Sequence, residues 1–212
     1  MGRASTKPKS TAVGGLGSLS KRYESSGNPG TIANNSGDIG GASYGTYQIA
    51  TNTGSMKNFM NYIQKSSPET YKALSGKSPG TQAFDTAWKQ LAARDPQGFN
   101  KVQHDFIANQ YYTPAVSGVR KSTGLDVSKR PQAVQDALWS TAVQHGVGGA
   151  NNIFKAAGIT PMMSDAEIIR RVYAERGANN GMKYFKSSSP QIRSGVVNRF
   201  RKEQQDALNM LR

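Results

Sequence analysis

The chain has no cysteine and only two histidines, His104 and His145, which lie far apart in the sequence. The absence of cysteine excludes disulfides, thiol catalysis and thiolate metal sites. Two separated histidines do not supply the ligands of a histidine-rich metal site. Neither histidine is accompanied by the nucleophile-elbow pattern of a Ser-His-Asp enzyme.

Acidic residues are also scarce, with 13 Asp and Glu against 27 Lys and Arg, so that the net charge is +14. Such a field attracts polyanions, and nucleic acid, an acidic membrane face and an anionic cell wall all qualify. The basic residues are scattered apart from a modest cluster near residues 193–202, and no nucleic-acid-binding module accompanies them. We therefore expect an anionic cell envelope as partner and no specific nucleic acid.

Long apolar runs are missing as well. No stretch approaches the ~18 residues of a membrane helix, so we expect no transmembrane segment. The first residues, MGRASTKPKSTAVGGLGS, contain no apolar core of an ordinary secretory signal. If the target lies outside the cytoplasm, we expect delivery by holin-dependent release, a phage virion or a secretion machine.

The chain is predicted to form one domain after a short tail. Residues 1–18 have almost no large apolar side chains and are expected to be a flexible basic tail. Hydrophobic residues make up only 36% of the chain, but they are spread over its length after residue 40. A packed domain over residues 19–212, acting as a monomer, is therefore the expectation.

Most of that domain shows helical patterns. Apolar residues recur at helical spacing, with Ser-Pro starts and Gly stops at several boundaries. The two tryptophans, Trp88 and Trp139, occupy apolar helix positions and are predicted to be in the core. The asparagines of ANNIF and ANNGMKYF are predicted to lie in loops. The predicted helical segments are residues 55–65, 67–76, 81–95, 97–112, 130–146, 164–177 and 189–211. The fold class is mainly α, with at most a small hairpin near residues 31–51.

Residues 21–51 differ from the rest, because they are rich in glycine and carry two carboxylates, Glu24 and Asp38. A lone glutamate at the end of a short helix normally stays solvated. Sugar-cleaving enzymes, however, need one protonated carboxyl group and often a second, ionised one. Glycine accepts positive φ angles, so the loop GDIGG can fold the second acid back towards the first.

Three stretches resemble the motif series of the lysozyme-like superfamily: ESSGNP, SYGTYQI and ALWSTAVQHGVGGANNIF. The spacing of Glu24 and Asp38 also resembles the chitosanase branch. The block as a whole is most similar to the muramidase domains of phage lysins, phage tail proteins and type VI secretion spikes. The resemblance implies a lysozyme-like, two-lobed helical domain in which a small loop or hairpin region lines a cleft.

The resemblance also implies catalytic roles. Glu24 would be the general acid and Asp38 the general base of an inverting hydrolysis, with Ser43 or Thr46 helping to place the water. The inverting scheme needs about 6.5–9.5 Å between the two carboxyl groups. If Asp38 points away, Glu24 could act alone as acid and then base, as in the lytic transglycosylases.

Four further residues are candidates for sugar contact. Tyr44 and Tyr47 would either line sugar subsites or pack and shape the turn, and Gln48 would bind an N-acetyl group. His145 lies at a predicted helix end, where a cation is mildly favoured, and is expected in a structural or cleft-wall role. Carbohydrate sites favour aromatic faces with amide and hydroxyl partners, which motivates this set.

The expected function is a peptidoglycan hydrolase that cleaves the β-1,4 bond between N-acetylmuramic acid and N-acetylglucosamine. The chemistry needs no metal and no organic cofactor, and a phage endolysin or virion lysin is the expected setting. Four alternatives stay open: a lytic transglycosylase, a chitosanase, a non-catalytic wall-binding phage module, and a basic nucleic-acid-binding protein.

Overall fold

The computed structural model describes residues 15–21, 28–34 and 41–212. The chain divides into two compact units. The first, called here the terminal unit, comprises residues 1–22 and 118–212; the second, the hairpin unit, comprises residues 23–117. Among the described residues, no helix combines the length and the apolar character needed to span a membrane.

The hairpin unit contains a small antiparallel sheet followed by helices. The strands pair in the order β1–β2–β3, with Ile32 opposite Tyr44 and Tyr44 opposite Ile49. The elements are β1 (Ile32–Ala33), β2 (Ser43–Tyr44), β3 (Ile49–Ala50), α2 (Ser55–Ser66), α3 (Pro68–Leu74), α4 (Gln82–Arg94), α5 (Pro96–Ile107) and a π-helix (Ala108–Tyr112). The predicted hairpin region is thus a three-stranded sheet.

The terminal unit is helical in its described part. Its elements are α1 (Ser18–Lys21), the second half of α6 (Thr113–Thr123), a 3₁₀ turn (Val127–Lys129), α7 (Gln132–Ala156), α8 (Asp165–Arg176) and α9 (Pro190–Asn209). Helix α7 is kinked at Gly146, whose φ of 71° and ψ of 171° are not helical. The predicted helix stop at this glycine is therefore real, although the chain resumes a helix beyond it.

An aromatic cluster forms the core of the hairpin unit. Trp88 is fully buried, and its ring lies 4.8 Å from that of Phe99 and 5.2 Å from that of Tyr44. Phe59 and Phe106 extend the cluster edge to face, with ring centres 5.2 Å apart. Trp139 is fully buried in the terminal unit. The prediction that both tryptophans belong to the core is confirmed.

The mainly helical fold class is confirmed, and each predicted helical segment contains a helix. Of the two predictions that place asparagines in loops, the structure agrees with one and differs from the other. Asn179 and Asn180 lie in a turn, as expected, with φ angles of 54° and 51°. Asn151 and Asn152 instead lie inside α7, and α6 was not predicted. The two segments are in contact, because Gly118 of α6 leaves room for Asn151: a Cβ at Gly118 would come within 2.1 Å of the Asn151 side chain.

The expected tail at residues 1–18 falls mostly outside the described residues. From residue 15 onwards the chain is described, and Leu19 is buried. The boundary between a tail and a domain over residues 19–212 stays a prediction.

Candidate active site

Both predicted catalytic carboxylates, Glu24 and Asp38, lie outside the described residues. The described residues on either side of them are held by buried hydrogen bonds. We call these bonds, together with the short strands, the frame, and each bond of it lies within one unit.

Asp136 of α7 anchors the segment that leads to Glu24. Its carboxylate accepts hydrogen bonds from the backbone N–H groups of Gly17 (2.8 Å) and Leu19 (2.9 Å). The Ser18 hydroxyl donates a third bond, at 3.0 Å. Hydrogen bonds to an ionised acceptor are stronger than neutral ones, and Asp136 is fully buried. The start of α1 is therefore fixed firmly, a few residues before Glu24.

Pro29 provides the next anchor, five residues after Glu24. Its carbonyl oxygen accepts two buried hydrogen bonds, one from Trp88 Nε1 at 2.8 Å and one from Gln103 Nε2 at 3.0 Å. Because two side chains from α4 and α5 hold one carbonyl, the chain at Pro29 is fixed to the helical part of the hairpin unit.

Gln103 also holds the turn between β2 and β3. Its Oε1 accepts a hydrogen bond from the backbone N–H of Thr46 at 3.0 Å, and the Thr46 hydroxyl donates to Asn100 Oδ1 at 2.8 Å. Gly45 is required here, because its φ is 74° and a Cβ would come within 2.1 Å of Gln103 Oε1. One buried amide thus connects Pro29 with the turn that carries Thr46.

Tyr44 is a core residue. Its side chain is 0% exposed; its hydroxyl donates to Asp85 Oδ1 at 2.6 Å and accepts from the backbone N–H of Gly80 at 2.7 Å. Burial, followed by the hydrogen bond to Asp85, raises the pKa of Tyr44 to about 12. The proposed sugar contact does not agree with this position, and the packing alternative fits it.

The remaining hairpin candidates are more accessible. Ser43 is half-buried and, by strand alternation, points to the face opposite Tyr44. Tyr47 is half-buried with its ring 6.1 Å from that of His104. Gln48 is exposed, has a φ of 51°, and donates from Nε2 to its own turn at Gly45 O, 3.0 Å away. A positive φ outside glycine is uncommon and often marks a functional turn.

His145 belongs to the terminal unit and sits immediately before the kink of α7. Its ring lies 5.5 Å from Tyr184, 5.4 Å from Phe185 and 6.1 Å from Phe200. Burial, together with the nearby positive charges of Arg176 and Arg199, lowers its pKa to about 3. The expectation that a cation is favoured here is wrong, because the imidazole is neutral at ordinary pH. The expected structural role of His145 is consistent with its aromatic neighbours.

Three residues that hold the frame were missed from the sequence: Asn100, Gln103 and Asp136. Two of them left a recognisable signal. Gln103 falls on the same face of α5 as Phe99 and Phe106, where an apolar residue is expected. Asp136 lies among the apolar residues of AVQDALW, next to Gln135. A polar residue at a core position has to be hydrogen-bonded, which marks both as anchors.

Two solved structures share the fold. The native chitosanase from Bacillus subtilis MY002 superposes with a TM-score of 0.60 at 18% identity, covering 92% of this chain and 86% of that one. The Gynuella sunshinyii GH46 chitosanase, solved with chitotetraose, gives a TM-score of 0.58 at 16% identity, covering 86% of this chain and 81% of that one. At these identities the likeness establishes the lysozyme-like fold.

A sequence relative identifies the family. The chain is 40% identical over 176 residues to the type VI secretion system spike protein VgrG3 of Vibrio cholerae serotype O1. The matched stretch covers 82% of this chain but only 16% of that protein. The profile of the family described as type VI secretion system spike protein VgrG3-like, C-terminal, matches residues 16–204. The chain therefore belongs to the VgrG3-like C-terminal family of type VI secretion system spike proteins.

Proposed function

We propose that this chain is a peptidoglycan-cleaving glycosidase domain of a type VI secretion spike. It cuts the β-1,4 bond between N-acetylmuramic acid and N-acetylglucosamine. The observation that carries the proposal is the glycine-rich block with Glu24 and Asp38, inside a chain that has the lysozyme-like fold and belongs to a spike-protein family. A domain that a secretion machine delivers could act by cleaving the cell wall.

In this proposal Glu24 is the general acid. It donates its proton to the glycosidic oxygen as the C1–O bond breaks, and the departing sugar leaves as an alcohol. Asp38 takes a proton from a water molecule, whose oxygen attacks C1 from the opposite face. Each turnover therefore consumes one water and inverts the configuration at C1.

In this proposal the frame has a positioning role. The anchors at Asp136 and Pro29 hold the chain before and after Glu24, and Gln103 holds the turn at Thr46. Catalysis by positioned groups depends on such pre-organisation, because small displacements of the reacting atoms are costly. Thr46 is buried and bonded to Asn100, so we assign it to positioning the hairpin, with Ser43 as the group that helps to place the water.

Peptidoglycan is favoured over chitosan as the substrate. The chitosanases that share the fold include a variant of the Bacillus enzyme solved with six glucosamine units. A polymer of glucosamine is polycationic and is repelled by a protein with a net charge of +14. An anionic envelope instead concentrates the enzyme near its substrate.

The spike context changes the expected setting. A phage endolysin or virion lysin was expected, whereas the family favours delivery by a type VI secretion machine. The chain spans 16% of the length of the curated relative. Carried in a spike, it would act as part of that assembly, so the expectation of a monomer applies only to the isolated domain.

Replacing Glu24 with glutamine tests the proposal, because an amide cannot donate the required proton. We expect the Glu24→Gln variant to keep its fold and its binding to purified peptidoglycan but to release no reducing ends. Full activity of this variant would overturn the assignment. Asp38→Asn separates the two chemistries, with a severe loss expected for an inverting hydrolase and a mild one for a transglycosylase.

A further inference from the structure

A surface pocket of about 530 Å³ lies in the hairpin unit between α2 and the π-helix. Its volume falls within the range of small-molecule sites. Of the predicted catalytic residues that the structure describes, neither Ser43 nor Thr46 lines it. The lining side chains include Asn58, Asn61, Tyr62, Lys65, Asn109 and Gln110.

Four of these side chains are primary amides. In the described structure, the amide groups of Asn58, Asn61, Asn109 and Gln110 make no hydrogen bond to another protein group. Each amide offers two N–H donors and one carbonyl acceptor. Isolated surface amides are ordinary, but four that converge on one pocket form a dense set of donors and acceptors without formal charge.

The π-helix places two of the amides. Asn109 and Gln110 are consecutive residues of Ala108–Tyr112, and both line the pocket. A π-helical turn is rare and often occurs at functional sites. The π-helix thus supplies two of the four amides of the pocket.

Tyr62 adds an aromatic surface. Its ring is half-buried, and its centre lies 5.7 Å from that of Phe106. Phe106 is itself packed edge to face against Phe59, so the tyrosine rests on a fixed core. A ring held in this way, with a polar tip, suits contact with the apolar face of a sugar.

The charge of the lining narrows the ligand further. Among the described residues that line the pocket, Lys65 is the only charged one, and none of them is a carboxylate. A polycation would find no counter-charge, and a polyphosphate would find only one. The lining therefore suits a neutral or singly anionic ligand that is rich in amides and hydroxyls.

We propose that this pocket binds an N-acetylated sugar of a glycan strand, as an accessory site that holds the polymer on the enzyme. The amide N–H groups would donate to acetamido carbonyl oxygens, the amide carbonyls would accept from sugar hydroxyls, and a sugar ring would stack on Tyr62. Lys65 would pair with a carboxylate of the strand, either in the peptide stem or on an N-acetylmuramic acid residue that carries no stem. That the polymer is peptidoglycan rests on the proposed function, whereas the preference for N-acetylated sugars rests on the lining of the pocket.

The test is a side-chain amide NMR titration of the Glu24→Gln protein, which is used so that the probe is not cleaved. The probe is N,N′,N″-triacetylchitotriose, with the unacetylated glucosamine trimer as the matched control. We expect the acetylated trimer to shift the amide signals of Asn58, Asn61 and Asn109, with at least tenfold tighter binding than the unacetylated trimer.

Variants locate the response. Tyr62→Ala and Asn61→Ala should each weaken the binding seen at Asn109 about tenfold. Gln64→Ala is the matched control, because Gln64 is exposed on the same helix but does not line the pocket, and it should leave the titration unchanged. Asn61 is also exposed, so its replacement tests the site even if Tyr62→Ala fails to fold.

Unshifted pocket amides, or equal responses to the two trimers, would overturn the proposal. The result is independent of bond cleavage. Pocket shifts from a protein whose native form releases no muropeptides would retain the accessory site and reject the proposed function. Cleavage by the native protein without pocket shifts would reject the accessory site and retain the proposed function.

Discussion

Each unit contains a buried polar cluster, and the two clusters are held by different kinds of group. In the terminal unit a buried ion pair joins α8 to α9: Arg176 is 0% and Glu203 1% exposed, and Arg176 Nη1 lies 3.4 Å from Glu203 Oε2. In the hairpin unit the turn is held by neutral groups, the amides of Gln103 and Asn100 and the hydroxyl of Thr46. Removal of one partner should therefore lower the free energy of unfolding more in the terminal unit than in the hairpin unit.

The carboxylate of Glu203 has several partners from α7, α8 and α9. Its carboxylate accepts from the Ser140 hydroxyl at 2.7 Å and the Tyr173 hydroxyl at 3.2 Å, and its other oxygen lies 3.0 Å from Arg199 Nε. The Arg176 guanidinium also lies 4.0 Å from the ring centre of Phe200. Burial lowers the pKa of Arg176 from its usual value. A buried pair of this kind is strongly destabilised when one partner is removed alone.

The largest expected effect is that of Glu203→Gln. It leaves the Arg176 charge buried without its counter-ion and should lower the free energy of unfolding by about 3–5 kcal/mol. Urea unfolding measures this loss. The matched control is Glu167→Gln, which removes an exposed i,i+4 pair with Arg171 and should cost about 0.3–0.5 kcal/mol. Similar losses for the two variants would contradict the contrast between buried and exposed pairs.

A smaller loss of stability is expected in the hairpin unit. Gln103→Leu removes the partners of Thr46 N–H and Pro29 O, although Trp88 still bonds the latter. One unsatisfied buried group costs about 1–3 kcal/mol. Because the turn carries predicted site residues, we also expect the rate at which reducing ends are released to fall. The fall should be larger than the small increase in the unfolded fraction explains. Unchanged activity at this stability cost would show that the turn does not position the site.

His145 should make the terminal unit sensitive to acid. Its folded-state pKa of about 3 lies below the ordinary value of 6.5, so the unfolded chain binds the proton more readily between these values. Stability linked to this group is therefore complete above about pH 6.5 and falls as the pH drops towards 3. In urea unfolding at several pH values, His145→Phe should show a shallower loss over this window. An unchanged slope would mean that other groups govern the acid response.

The smallest expected effect is that of Tyr44→Phe. The change removes the bonds to Asp85 and Gly80 but keeps the ring in the aromatic core. We expect a loss of about 1 kcal/mol and nearly unchanged sugar binding, because the ring is not accessible. A large loss of affinity for peptidoglycan fragments, with stability preserved, would restore the sugar-contact role.

The predictability of the fold also differs between regions. Apolar spacing and Ser-Pro starts located helices such as α2, α4 and α9, because one face of each must be buried. Helix α6 was missed because TPAVSGVRKST contains Gly, Pro, Ser and Thr, which are weak helix formers. Its packing, with Gly118 against Asn151, is a tertiary contact that local sequence does not reveal.

The chemistry of the candidate site stays a prediction, and the geometry of its described residues could be predicted only in part. Glycine and carboxylate content singled out residues 21–51, and the hairpin was placed correctly. The separate roles of neighbouring residues were not readable, because Tyr44 and Gln48 are both polar residues of one short segment. Only strand alternation and the turn at Gly45 put Tyr44 in the core and Gln48 at the surface.

The most direct test of the central claim is mass spectrometry of muropeptides released from purified peptidoglycan, with the native chain and Glu24→Gln compared side by side. The account predicts reducing N-acetylmuramic acid ends from the native chain and none from the variant. Anhydro ends would contradict the hydrolysis and indicate a lytic transglycosylase. No release from either protein, with binding intact, would contradict catalysis itself and leave a wall-binding domain with a lysozyme-like fold.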